Sequence, residues 1–135
     1  MAALEAALPF VDIVQVRPKP LGDRGQSASA LATITEARAA FEWCQRVLEL
    51  RERLDLEAPP LVFVNDRVDV AIALGSAGLG CAGLGCAGLD GVHIGTDDMP
   101  PKAARLALGD DLLLGVSSHT TRDLGRAWDE PIDML

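Results

Sequence analysis

Positive charge is scarce in this chain of 135 residues, which carries 12 Lys plus Arg against 20 Asp plus Glu and a formal net charge of −8. Nucleic acids and anionic membranes are held by clustered Lys and Arg, so this balance excludes a diffuse surface for either; an anionic ligand has to be gripped by a few cations in one place. Cysteine is sparse too. The three present are an odd number, and Cys81 and Cys86 fall in a glycine-rich repeat, which points to reduced thiols and a cytoplasmic location rather than a disulfide framework. With no second cysteine pair and no histidine at ligand spacing, they make no zinc site. Cys44, beside Trp43 in a helical pattern, reads as core packing. The N-terminal MAALEAALPF lacks the basic residues that open a secretory signal. An uncharged run from Val70 to Leu89 is broken by six glycines and closed by Asp69 and Asp90, so it makes a poor membrane span. The length suits one domain, residues 1–135, and falls short of the roughly 200 residues of a complete eight-fold β/α barrel.

What is present is an alternation of two patterns. Short apolar runs at Val11–Val16, Leu61–Val64, Gly91–Ile94 and Leu112–Val116 read as strands buried on both faces, as in parallel sheets covered by helices. Between them, Thr35–Leu54 places Ala39, Trp43, Val47, Leu50 and Leu54 on one helical stripe and ends at Pro59 and Pro60. Shorter helices fit Arg67–Leu74, Pro101–Leu108 and Thr121–Trp128, and Ile132–Leu135 reads as the start of another strand. Strand-helix alternation of this kind implies a parallel α/β sheet, either barrel or doubly wound. Residues 18–30 read as a loop rich in Pro, Gly and Ser. Residues 75–89 hold two copies of AGLGC and the start of a third, too short a period to carry structure of its own, so the stretch reads as an insertion. Its overlapping GxGxxG patterns leave no room for the helix that a dinucleotide site needs before the strand GVHI.

Parallel α/β folds place their sites at the C-terminal ends of the strands. Those ends read Gln15, Arg17 and Lys19; Asn65-Asp66-Arg67; Gly95-Thr96-Asp97-Asp98; and Ser117-Ser118-His119. Two cations and an amide suit phosphate oxygens, and carboxylates from two strand ends suit Mg²⁺. The same residues also have plainer readings, with Asn65 or Asp66 as a helix cap, Asp97 and Asp98 as turn acids, and Arg17 as a surface charge.

In order, VDIVQVRPK, LVFVNDRVDVAIALG and LDGVHIGTDDMPPKAARLALGDDLLLGVSSHT resemble successive motifs of the thiamine-phosphate synthase family. The resemblance implies a (β/α) barrel of the TIM type, here roughly strands 2 to 5 and the start of 6, entered from the preceding helix. It implies condensation of 4-amino-2-methyl-5-(diphosphooxymethyl)pyrimidine with thiazole phosphate, giving thiamine phosphate and pyrophosphate with Mg²⁺ as cofactor. By motif, Gln15, Arg17, Lys19, Asn65 and Ser117 would contact the pyrimidine diphosphate, and Asp66 and Asp98 would hold Mg²⁺. Pro18 stands where the family usually has an acid, and Thr96-Asp97 replaces its Gln-Glu. The later strand ends that hold thiazole phosphate in the family have no counterpart in this sequence. The related thiazole tautomerase, an isomerase, is the second expectation, with His119 as its proton-transfer residue, whereas His93 reads as a packed strand residue. A third is an inactive half-barrel that only binds or self-associates, since an open parallel sheet exposes its edges.

Overall fold

In the computed structural model, residues 1–18, 30–75, 88–95 and 98–135 are described. The elements are α1 (Ala2–Ala7), a 3₁₀ turn (Leu8–Phe10), β1 (Ile13–Val16), α2 (Ala30–Leu54), β2 (Leu61–Asn65), α3 (Val68–Gly75), β3 (Gly91–Ile94), α4 (Pro101–Leu108), β4 (Leu113–Val116) and α5 (Thr121–Ala127). The strands form one parallel sheet in the order β1-β2-β3-β4. Met134 bridges Gly115 in parallel, so the predicted start of a further strand lies against β4. The expected α/β class holds. Helix α2 opens five residues before the predicted Thr35, because Ala30 and Leu31 are strong helix formers that an amphipathic stripe does not reveal. Most of the predicted 18–30 loop and of the AGLGC repeat falls outside the described residues.

The register sorts the strand side chains into two faces. Val14, Val62, Val64, Val92, Leu114, Ile94 and Val116 line up across one face, as the two-residue period of a strand requires. All but the partly buried Val14 belong to the main core, with Ala40, Cys44, Val47 and Leu48 of α2, Ala71 and Leu74 of α3, and Ala104 and Leu108 of α4. Cys44 is buried as expected, and burial pushes its thiol up to about 12, so it stays protonated and inert. The other face carries Ile13, Leu61 and Leu113 near the strand starts, Phe63 in the middle, and Gln15, Asn65 and His93 toward the strand ends. Phe63 is 1% exposed, and its ring covers Gly91. A Cβ at Gly91 would meet Phe63 Cε1 at 2.6 Å and the Leu113 carbonyl at 2.4 Å, so only glycine admits the ring.

Two arginines tie helices to strand starts in the same way. Arg51 of α2, 6% exposed, donates to the Asp90 carboxylate, the Gly88 carbonyl at 3.0 Å and the Pro60 carbonyl at 3.3 Å. Asp90, directly before β3, also accepts the Val62 N–H at 2.7 Å. Arg105 of α4 pairs with Asp133, directly before Met134, and Asp133 accepts the Leu114 N–H at 2.8 Å. Burial pushes the Asp133 carboxyl up, but the Leu114 N–H and the Arg105 guanidinium outweigh it and hold the group below the usual range. Between these ties, the Leu89 N–H donates to the Leu74 carbonyl at 3.2 Å, joining the end of α3 to the approach to β3.

Candidate functional site

Where the strands end, the second face turns polar, and its side chains link laterally. Gln15 Nε2 donates to Asn65 Oδ1, and Asn65 Nδ2 donates to Asp66 Oδ2. This chain of amides runs from β1 to the first residue after β2 and fixes the orientation of both. Asp66 adopts a φ of 60°, a left-handed conformation that Asp tolerates better than most residues. That turn points its N–H at the His93 carbonyl, 2.8 Å away, and swings the carboxyl toward β3.

There it meets Asp98. The Asp98 carboxyl is set by a hydrogen bond in which its Oδ2 accepts the Gly95 N–H at 2.8 Å. A Cβ at Gly95 would lie 2.7 Å from that oxygen, so the carboxyl would have to shift were another residue there. Burial raises the Asp66 pKa, and so do hydrogen bonding and charge repulsion from Asp98, whereas Arg17 and the Gly95 N–H pull it down. Two carboxyl groups in contact resist joint ionisation. A divalent cation removes that conflict, so the pair fits a hard metal such as Mg²⁺. Among the described residues no three His, Cys, Asp or Glu side chains gather for a metal; two carboxylates completed by water and phosphate is the Mg²⁺ pattern.

A cleft of about 230 Å³ beside the pair is lined by Arg17, Glu36, Asn65, Asp66 and Arg67. Arg67 is engaged by Asp69, with Nε at 2.9 Å, which leaves Arg17, among the described residues, as the exposed cation beside Asp66. Farther along the same polar face, His93 Nε2 lies 2.8 Å from Ser117 Oγ. Burial lowers the His93 pKa, so the imidazole is neutral at pH 7 and shares one hydrogen with the serine. The Ser117 N–H in turn donates to the Ile94 carbonyl at 3.0 Å.

The structure thus gathers Gln15, Arg17, Asn65, Asp66 and Asp98 into one cluster and ties Ser117 to His93. His119 is exposed in the loop before α5. Lys19, Thr96 and Asp97 lie outside the described residues. The sequence reading missed the engagement of His93 and the presence of Glu36 in the cleft. A signal for the first existed: His93 sits level with Asn65 and Gly115 on the polar end of the second face.

The family model described as thiamine monophosphate synthase matches residues 1–135. A thiamine-phosphate synthase of Agrobacterium fabrum is 36% identical over 131 residues, 97% of this chain and 46% of that protein. One from Albidiferax ferrireducens is 34% identical over 125 residues, 93% of this chain and 43% of that protein. The chain therefore spans less than half the length of these relatives. A thiamine phosphate pyrophosphorylase from Pyrococcus furiosus shares the fold, with a TM-score of 0.62 at 23% identity over 98% of this chain and 51% of that one.

Proposed function

Since the chain belongs to the thiamine monophosphate synthase family, we propose that its strand-end cluster binds the pyrimidine diphosphate and supports its condensation with thiazole phosphate to thiamine phosphate. The observation that carries this reading is the interaction of the Asp66 and Asp98 carboxyls, with Asp66 lining one cleft together with Arg17 and Asn65. When bound, Mg²⁺ would supply charge neutralisation to the departing pyrophosphate. Asp66 and Asp98 would hold it. Arg17 would carry positive charge toward the same phosphates, as would Lys19 by motif, and the Asn65 amide, oriented by Gln15 and Asp66, offers them a contact. Ser117, held by His93, contacts the pyrimidine.

The bond that breaks joins the pyrimidine methylene to the pyrophosphate oxygen, and the bond that forms joins that methylene to the thiazole nitrogen. The pyrimidinyl-methyl carbon is electron-poor as pyrophosphate leaves, so electrostatic stabilisation by fixed groups does more than acid-base transfer. The cluster suits that task, with the Gln15 and Asn65 amides and the Asp66 carboxylate linked by hydrogen bonds and the Arg17 charge acting on Asp66. The four parallel strands correspond on this reading to strands 2 to 5 of a barrel whose sixth begins at Met134. No described helix is long and apolar enough to cross a membrane, and we place the reaction in the cytoplasm.

The tautomerase reading is less well supported, because His119 is exposed and a diphosphate-metal cluster has no part in proton shuffling. The test is to mix the purified chain with both precursors and Mg²⁺ and follow thiamine phosphate. No product from a folded chain would refute the activity and leave the inactive half-barrel. A parallel calorimetric titration of the pyrimidine diphosphate asks whether the half-site works; Mg²⁺-dependent binding that survives Asp66→Ala plus Asp98→Ala would overturn the metal assignment.

A further inference from the structure

One acid in the cleft beside Asp66 has no part in the proposed function. Glu36 lines that cleft together with Arg17, Asn65, Asp66 and Arg67, and its place on α2 is unusual for a charge. Ala40, Cys44, Val47 and Arg51 follow it at spacings of three and four, and each is more than nine-tenths buried. Glu36 therefore heads the stripe of α2 that packs on the sheet. Its neighbour Arg38 turns outward instead, 2.8 Å from Glu42, and Arg51 at the foot of the stripe is neutralised by Asp90. Glu36 is half-buried, and among the described residues nothing forms an ion pair or hydrogen bond with its carboxylate. Among the same residues no three His, Cys, Asp or Glu side chains gather for a metal, so Glu36 is a wall of the cleft and not a third ligand beside Asp66 and Asp98. Its charge decides the sign of the cleft. Arg67 is engaged by Asp69, which leaves Arg17 to oppose both Glu36 and Asp66, with Asp98 acting on Asp66 as well. Without a cation the cleft is negative and repels phosphate; a divalent cation on the carboxyl pair reverses this. A guanidinium and an amide are good anion contacts in themselves, and Glu36 denies them to an anion that arrives alone.

We propose that Glu36 is a specificity residue whose carboxylate makes anion binding in this cleft conditional on the divalent cation, so that a metal-bound diphosphate is accepted and metal-free phosphate compounds are refused. This role rests on the reading of Asp66 and Asp98 as a metal site and of Arg17 as a phosphate contact. Selectivity is a difference of affinities, and a repulsive element aimed at the wrong ligand is a common way to build it. The carboxylate acts through space. At the dielectric of a protein surface, a charge a few ångströms from an anion changes affinity roughly tenfold, and salt screens the effect. The direction depends on what enters the cleft. Removing one negative charge favours a free anion, disfavours a free cation and largely cancels for the two together. Only a charge effect gives that pattern, because lost packing or a misplaced helix would weaken all three.

Calorimetry on the full chain tests this with inorganic pyrophosphate in chelator, with Mg²⁺ alone, and with the two together. Glu36→Gln should tighten the first about tenfold, weaken the second several-fold and leave the third within about threefold of the parent. The gain for metal-free pyrophosphate should shrink in about 0.5 M salt. Glu36→Asp keeps the charge and should keep the parent pattern. Glu36→Ala gives the same readings as Glu36→Gln should the latter not fold. Metal-free pyrophosphate bound no more tightly by Glu36→Gln than by the parent, or all three affinities falling together, would overturn the proposal, while binding of pyrophosphate with Mg²⁺ by the parent would still uphold the site. A folded parent that binds no pyrophosphate even with Mg²⁺ would overturn the reading of the site, and the role of Glu36 with it.

Discussion

Arg51 and Asp90 offer the sharpest test of how the fold is held. The guanidinium is 6% exposed, whereas the Asp90 side chain is 28% exposed, so water reaches one partner but hardly the other. Asp90→Asn leaves a buried cation with only the Pro60 and Gly88 carbonyls to answer it. Removing one partner of a buried pair costs about 3–5 kcal/mol. The partial exposure of Asp90 places this case at the low end. The asparagine oxygen can still accept the Val62 N–H, which retains about 1 kcal/mol. The expected loss is therefore about 2–3 kcal/mol, a large share of the roughly 5–15 kcal/mol of a whole domain. With a urea slope of about 1–3 kcal/mol per molar, the unfolding midpoint should fall by roughly 1–2 M. All variants are compared at one protein concentration, because any self-association shifts a midpoint. Arg51→Met should also destabilise. Combined with Asp90→Asn it should cost less than the two separately, since the charge leaves with its partner, and the coupling should fall within about 0.5–3 kcal/mol. A midpoint for Asp90→Asn within about 0.3 M of the parent, or strictly additive single changes, would refute the reasoning.

Three further outcomes follow from the site and the sheet. Because burial and Asp98 raise the Asp66 pKa, the folded chain keeps that proton longer than the unfolded one, and stability is lost as pH rises through the folded pKa and stays lost at neutrality. In chelator, Asp98→Asn should therefore melt higher than the parent at about pH 7 and show less gain near pH 4, with Mg²⁺ reversing the order at pH 7; equal gaps at the two pH values would count against the carboxyl pair. Gly95→Ala puts a methyl 2.7 Å from Asp98 Oδ2 and should weaken Mg²⁺-dependent pyrimidine diphosphate binding roughly tenfold, about 1.4 kcal/mol, with little change in melting. Gly91→Ala, forced against Phe63 and the Leu113 carbonyl, should do the opposite, costing about 1–3 kcal/mol in urea unfolding through overpacking while metal binding in the surviving folded fraction persists.

How much of this was legible in the sequence depended on distance along the chain. Pro101–Leu108 and Gly91–Ile94 match their predicted bounds, because a proline at the first turn, a following glycine and a short run holding the β-branched Val92 and Ile94 are local signals. The site residues were visible by position, at strand ends of a parallel pattern, but their linkage was not. Gln15 meets Asn65 across 50 residues, and His93 meets Ser117 across 24; neither pair has a period or motif joining its members. The Arg51 and Arg105 ties were invisible for the same reason, spanning 39 and 28 residues. The left-handed turn at Asp66 left only the trace that an aspartate stands there, a residue equally suited to capping.

The hydrogen bond from Leu89 to Leu74 has an engineering consequence. It cinches the chain at a neck, so whatever lies between its two sides departs from and returns to one point, at the rim where β3 starts, the opposite end of the strands from Asp66 and Asp98. The Arg51–Asp90 tie pins the same rim from outside. Length inside a cinched neck costs little, since doubling a loop adds only about 0.6 kcal/mol of closure entropy. Excising one copy of AGLGC, Ala77 to Cys81, should therefore move stability by less than that amount in urea unfolding. By the same token, this is the place to graft a peptide tag or a fluorophore sequence without disturbing the chemistry at the other rim.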